Sequence, residues 1–369
     1  MNTVTLFGAG KIGDAITGLL SMSGRYAVRV CDVNEKRAQE MAASWKNAEG
    51  FKLDLDDKAY TKKLLQGSQA VLSALPFYCN PAVAEFAASE KVHYLDLTED
   101  VATTDKVAEV AADSNCCFMP QCGLAPGFVS VAAMQLARSF DKVETIKMRV
   151  GALPIYPSNQ LKYNLTWSTE GLINEYINPC EVIFRGKRTS AFALEGYERF
   201  SLNGAEYEAF NTSGGLGTLC DTLEGTVQNL DYKSIRYPGH RELMTFLMND
   251  LRFNEDRTTL IKAMERSIPA TAQDKCLIFV EVTGQVKGRL LQRTYASTVY
   301  NTILSGRHFS AIQLTTAAGI CAPLDLLLNG KFRQSSGLIK TEEISLTDFL
   351  DNEFGKYYRD EMALSGIAA

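Results

Sequence analysis

The chain has 369 residues, 46% of them hydrophobic and 22% charged, a balance that suits a folded protein of about two domains and excludes disorder as the main state. Its net charge of −5 gives no electrostatic case for nucleic acid. No uninterrupted apolar run approaches the ~18–20 residues that cross a bilayer; Met1 to Gly10 has no basic leader; and nine scattered cysteines without a CxxC spacing read as reduced cytoplasmic thiols, with no metal site.

Short apolar runs alternate with amphipathic stretches in the first third. Val4 to Phe7 reads as a strand, and Lys11 to Ser23 as a helix that buries Ile12, Ala15, Ile16, Leu19 and Leu20. Val28 to Cys31 is a second strand and Glu35 to Trp45 a second helix. Strands follow at Ala70 to Leu75, His93 to Leu97 and Cys116 to Pro120, with helices at Pro81 to Ser89 and Asp105 to Asn115. This alternation makes βαβ units and a parallel sheet. After Gly127 the pattern changes. Val143 to Gly151 is a strand, and residues 152–217 are rich in Tyr, Asn, Ser, Thr and Gly. Leu243 to Leu251 and Arg257 to Ser267 are helical. Cys276 to Val286 and Arg289 to Val299 form a hairpin about Lys287-Gly288. A helix at Ser310 to Leu328 precedes a short Lys/Glu-rich tail. Two domains are expected, with the chain returning to the first near its end.

Gly8, Gly10 and Gly13 stand between the first strand and the first helix as Gly-Ala-Gly-Lys-Ile-Gly. In a dinucleotide fingerprint the first glycine permits the turn, the second admits a pyrophosphate, and the third lets helix and strand pack closely. The helix amides near Lys11 and Ile12 then face the phosphates. Asp32 ends the second strand, 19 residues past Gly13, where a carboxylate accepts ribose hydrogen bonds. That favours NAD. Arg37 on the next helix keeps NADP possible. Asp54 is a candidate for the adenine side, a solvated loop acid being the alternative. Leu75, Pro76 and Phe77 follow the strand at Ala70 and are candidates to pack on nicotinamide, a plain loop being the alternative.

Three polar clusters interrupt the apolar second half. Lys162 to Gly171 contains Tyr163, Trp167 and Glu170. Asn211 to Gly217 contains Thr212 and Ser213 in a loop able to offer amides to an anion. Arg236 to His240 reads Arg-Tyr-Pro-Gly-His. Arg236 beside a glycine turn suits a substrate carboxylate. His240 is one of three histidines and a candidate general base, with a structural role as the alternative; His93 and His308 read as structural.

Gly8 to Gly13, Gly123-Leu-Ala-Pro-Gly127, Gly151-Ala-Leu-Pro154, Tyr163 to Gly171, Phe210 to Leu219 and Tyr232 to His240 together resemble the saccharopine dehydrogenase family, especially its short members. The resemblance implies an α/β fold with a Rossmann dinucleotide-binding domain, residues 1–126. Inserted in it is an α/β substrate and dimerisation domain with a mixed or antiparallel sheet, residues 127–309. Residues 310–369 then return to the Rossmann domain. It also implies NAD(P)-dependent hydride transfer at the ε C–N bond of saccharopine, releasing L-glutamate, or of lysine, and a homodimer. Both substrates give 2-aminoadipate 6-semialdehyde. One departure bears on the substrate: Glu170 stands where the saccharopine type has Arg and the lysine 6-dehydrogenase type has Glu. A carboxynorspermidine-type enzyme and a non-catalytic NAD-sensing protein are the further alternatives. For proton transfer the candidates are His240, Asp96 and Glu170; Tyr163, Trp167, Thr212, Ser213 and Arg236 are the substrate-binding candidates.

Overall fold

Strands and helices alternate from the first residues of the computed structural model, whose described residues are 1–359; the last ten residues of the expected C-terminal segment lie outside them. The order is β1 (Asn2–Phe7), α1 (Lys11–Met22), β2 (Tyr26–Asp32), α2 (Glu35–Ala43), β3 (Ala48–Lys52), α3 (Lys58–Leu65), β4 (Ala70–Ser73), α4 (Asn80–Glu90), β5 (His93–Asp96), α5 (Val101–Ala112) and β6 (Cys117–Met119). The strands pair in parallel as β3-β2-β1-β4-β5-β6. This is the doubly wound order, and the reversal between β1 and β4 creates a crevice at their carboxyl ends. Every residue of β4 is buried, as a strand covered on both faces requires. Helix starts follow from short polar side chains: Asn34, Asp57 and Asp100 accept from the amides of Arg37, Tyr60 and Thr103. The cap at Asp100 starts α5 four residues ahead of the expected Asp105.

The second unit is a mixed sheet with helices. After α6 (Phe128–Ala137) come β7 (Lys142–Pro154), α7 (Thr169–Ile177), β8 (Cys180–Phe184), β9 (Lys187–Ala191), β10 (Glu198–Leu202), β11 (Ala205–Asn211), α8 (Leu219–Leu223), β12 (Asn229–Arg236), α9 (His240–Thr245), α10 (Arg257–Ser267), β13 (Asp274–Val286) and β14 (Arg289–Tyr300). The order is β10-β11-β12-β7-β13-β14. Only β12 and β7 run parallel along this path. A buried guanidinium, Arg149, is neutralised by Glu198 and Asp231, and Lys233 shares both acids. Cutting one partner from such a group costs roughly 3–5 kcal/mol, so this network fixes β7, β10 and β12 together.

A small pair, β15 (Thr302–Leu304) and β16 (Arg307–Phe309), leads to α11 (Ala311–Leu328), β17 (Gly337–Leu338) and α12 (Leu346–Asp351). Asp274 accepts the first amides of α11, from Ala311 and Ile312. The described chain divides into Met1–Val131 with Gln313–Tyr357, and Ala132–Ile312 with Tyr358 and Arg359. Two of the crossings thus fall inside α6 and α11, and a third lies between Tyr357 and Tyr358. β17 adds a strand beside β6, and Asp325 accepts from Tyr26 and Asn352, which secures the returning segment to β2. By length and composition α11 would cross a membrane, yet most of it is buried within the protein, and it reaches that length only by including Gln313, Thr315, Thr316 and Asp325. A core helix accounts for it.

Candidate functional site

The glycine turn of the first unit assigns each glycine a separate task. Gly8 has φ +109°, and a Cβ there would come within 2.7 Å of the Ala74 carbonyl oxygen. Its amide donates to Cys31 O at 2.8 Å, so it joins the ends of β1, β2 and β4. A Cβ on Gly13 would overlap Gly8 O, whereas one on Gly10 would meet no protein atom within 4 Å. Gly10 is the N-cap of α1 and no side chain caps the helix. The amides of Lys11, Ile12 and Gly13 therefore open onto free space at a helix N-terminus, the arrangement a pyrophosphate needs. The turn therefore fits a dinucleotide.

Asp32 is 8% exposed. Its oxygens accept from Ala9 N at 2.8 Å and Asn34 N at 2.9 Å, so it pins the glycine turn to the end of β2. Each oxygen keeps a lone pair for a ribose hydroxyl. Arg37 is exposed on α2. Asp54 is half-buried and accepts from the amides of Asp56 and Asp57, shaping its own turn. Leu75 packs on the core under α4, while Pro76 and Phe77 are exposed at the carboxyl end of β4.

Asp96, a candidate for proton transfer, lies away from solvent. It is wholly buried, and it accepts from Tyr94 Oη at 2.6 Å and from the amides of Thr98 and Gln121 at 2.9 Å. Burial raises its pKa above the ordinary carboxylate value. Its three donors make it the fastener between β5 and the segment after β6.

In the second unit Arg236 ends β12, 3% exposed. Its Nε donates to Tyr176 Oη at 2.8 Å and its Nη1 to Ile235 O at 2.8 Å. The guanidinium also lies over the rings of Tyr163 and Tyr176, 5.4 and 5.7 Å from their centroids. Burial works against its charge, but Tyr176, Tyr163 and Glu175 outweigh burial and hold it protonated. Among the described residues no carboxylate forms an ion pair with it.

His240, the expected general base, has both ring nitrogens engaged within the protein. The imidazole is fully buried. Nδ1 lies 2.8 Å from Leu161 O, and Nε2 lies 3.0 Å from Tyr176 Oη. A carbonyl only accepts, so Nδ1 carries the proton and Nε2 accepts from the tyrosine. Burial, then the charge of Arg236, pushes the pKa down to about 3. The ring is therefore neutral with both nitrogens engaged, and it holds Tyr176, which accepts from Arg236. Phe210 stacks on it and Tyr163 flanks it.

Tyr163, a substrate-binding candidate from sequence, lies in this cluster; Tyr176 and Phe210 were not candidates, because nothing in Asn-Glu-Tyr-Ile-Asn or Glu-Ala-Phe-Asn-Thr sets them apart. Thr212 bonds Ser234 Oγ at 2.8 Å. Ser234 shares with Arg236 one face of β12, two positions apart. Ser213 and Gly217 give their amides to Glu175 O and Gly214 O, so this loop offers fewer free donors than expected. Trp167 lies against Gly171, where a Cβ would strike its ring. Glu170 is exposed in the first turn of α7.

A doubly wound sheet with a glycine turn at its crevice defines a Rossmann-type dinucleotide-binding protein with a second, mixed-sheet unit. Residues 4–116 match the saccharopine dehydrogenase NADP binding domain and residues 123–367 the saccharopine dehydrogenase C-terminal domain. The chain belongs to the saccharopine dehydrogenase family. It is 23% identical over 199 residues to saccharopine dehydrogenase [NADP(+), L-glutamate-forming] of Pyricularia oryzae, covering 52% of this chain and 44% of the relative. It is 20% identical over 191 residues to the mitochondrial alpha-aminoadipic semialdehyde synthase of Mus musculus, covering 50% of this chain and 20% of the relative. The matched stretch is thus under half the length of either. The saccharopine dehydrogenase (L-Glu forming) structure from Saccharomyces cerevisiae superposes with a TM-score of 0.79 at 16% identity, over 99% of this chain and 98% of that one, which establishes the shared fold.

Proposed function

We propose that the chain is an NAD(P)-dependent oxidoreductase of lysine metabolism that acts on a C–N bond, in the finer reading a saccharopine dehydrogenase releasing L-glutamate and 2-aminoadipate 6-semialdehyde. The observation that carries this is Arg236: a buried guanidinium without an ion-pair partner among the described residues. Its neighbours hold it charged without an ion pair, and a substrate carboxylate supplies that partner. The names of the fungal and mouse relatives support an amino-acid substrate of this kind.

A bound nicotinamide supplies acceptance of hydride. The chain's own residues do the rest. Arg236 holds a carboxylate, and Tyr163, Tyr176 and Phe210 wall it from water. Asp96 and His240 are buried whereas Glu170 is accessible, and it takes the proton that a substrate ammonium must lose before its nitrogen lone pair can assist departure of hydride from the neighbouring carbon. The resulting imine hydrolyses with water to aldehyde and amine. Lysine is the second reading, favoured by Glu170 itself: an acid at the start of α7 suits a substrate with one carboxylate better than one with three.

Absorbance of reduced cofactor with saccharopine, lysine and carboxynorspermidine, each with NAD and NADP, tests the proposal. Reduction with saccharopine alone is the expected result, and reduction with lysine alone selects the second reading. Tight cofactor binding with no reduction by any amine overturns both.

A further inference from the structure

We infer that Glu208 is the positioning residue of the Arg236 anion site, acting through the turn that precedes α9. The inference rests on the reading of Arg236 as the carboxylate-binding group. Glu208 lies on β11, directly opposite Arg236 in the β11–β12 ladder, and is 1% exposed. A carboxylate buried opposite a buried guanidinium would ordinarily pair with it. Here both its oxygens face elsewhere: Oε2 accepts from Gly239 N at 2.8 Å and Oε1 from Arg241 N at 2.6 Å.

Those two amides flank His240. Gly239 has φ +99°, a left-handed conformation that turns the chain sharply out of β12. The amides at the start of a helix have no intrahelical acceptor, and Gly239 offers no side-chain cap. Glu208 supplies two acceptors from across the sheet. It thereby clamps the backbone on either side of His240, whose ring spans Leu161 O and Tyr176 Oη. Tyr176 in turn receives Arg236 Nε. The path from Glu208 through the turn, His240 and Tyr176 ends on the residue opposite Glu208 itself. Because the acid is occupied by amides, it leaves the charge of Arg236 available to a ligand while fixing the direction of the guanidinium.

The turn is also held by Lys162, which donates to Pro238 O, and by the Arg241 side chain, which donates to Leu194 O. The fold therefore has other supports here, and loss of Glu208 is expected to loosen the site before it unfolds the unit. The test uses the full chain labelled with 15N-histidine, whose three histidines keep the spectrum simple. At pH 7 the parent protein shows one imidazole locked with its proton on Nδ1. In Glu208→Gln the carboxamide places an NH2 against one amide, and that resonance broadens or shifts toward a tautomer mixture. KM for the amine substrate rises tenfold or more, kcat changes less than threefold, and cofactor Kd is unchanged. Glu208→Asp keeps both acceptor oxygens and restores the locked tautomer in part. A Glu208→Gln protein with the parent's imidazole signal and KM overturns the inference, as does unfolding of both variants, which would assign Glu208 to stability alone. If no amine proves to be a substrate, the proposed reaction fails while the imidazole signal still decides the role of Glu208.

Discussion

Arg236 and His240 stand four residues apart and carry opposite demands. The guanidinium is charged and short of a counter-ion, while the imidazole is neutral and fully bonded. Arg236→Met retains most of the volume and removes the charge. A buried carboxylate that loses its charged partner costs roughly 2–5 kcal/mol, so kcat/KM for the amine substrate is expected to fall about a hundredfold with cofactor binding intact. A collapsed melting temperature with unchanged KM in the surviving protein would make Arg236 a fold element. His240→Asn is expected to raise KM about tenfold, the scale of one buried hydrogen bond at roughly 1–3 kcal/mol. It should leave the shape of the kcat–pH profile unaltered, because the native imidazole does not titrate until about pH 3. Loss of the acidic limb in that variant would return the histidine to proton transfer. The sequence marked both residues, since an Arg-Tyr-Pro-Gly-His run between apolar stretches is conspicuous. It did not disclose their roles, which depend on Tyr176 and Glu208, 60 and 28 positions from Arg236.

The β1–turn–α1 unit was legible for the opposite reason: its physics is local. Strand, glycine spacing and helix face all lie within about twenty residues, and Asp32 follows at the next strand end. The strands β9 (Lys-Arg-Thr-Ser-Ala), in a short hairpin with β8, and β10 (Glu-Arg-Phe-Ser-Leu), in a short hairpin with β11, were not legible because their polar residues give no apolar run. The same applies to β3, an edge strand of mostly half-exposed residues. The glycine turn yields a contrast between neighbours. Gly13→Ala places a methyl on Gly8 O, so helix and strand must separate; the melting temperature should drop by several degrees. Gly10→Ala meets no protein atom and should melt near the parent, yet its methyl occupies the space over the helix amides, and cofactor Kd should rise tenfold or more. Calorimetry and fluorescence titration of the two variants decide it: if Gly10→Ala binds cofactor normally, the phosphates do not lie at this turn.

At the scale of the whole chain, each unit buries groups that respond to acid with opposite signs: burial lowers the pKa of His93 in the first unit and raises that of Asp274 in the second. In the first, burial raises the Asp96 pKa above the ordinary value of 3.8. The native state then takes up this proton before the unfolded state does, and stability from this group rises as pH falls through that window. In the second, His240 is held at about 3 against an ordinary 6.5. The unfolded chain binds its proton from pH 6.5 downward while the native state does not, so stability is intact above 6.5 and is lost as pH falls toward 3. The slope is about 1.4 kcal/mol per pH unit, or roughly 2 kcal/mol by pH 5, a large share of the ~5–15 kcal/mol that holds a domain. The second unit is therefore expected to lose stability in mild acid through His240. Hydrogen exchange of the β11 and β12 amides, corrected for intrinsic rate between pH 7 and 5, should show protection falling by about one proton's linkage. His240→Asn starts less stable and should lose that slope, so the two proteins converge as pH falls. A constant offset between them across this range would place the imidazole in contact with a proton source in the native state, contrary to its burial against Tyr176 and Leu161.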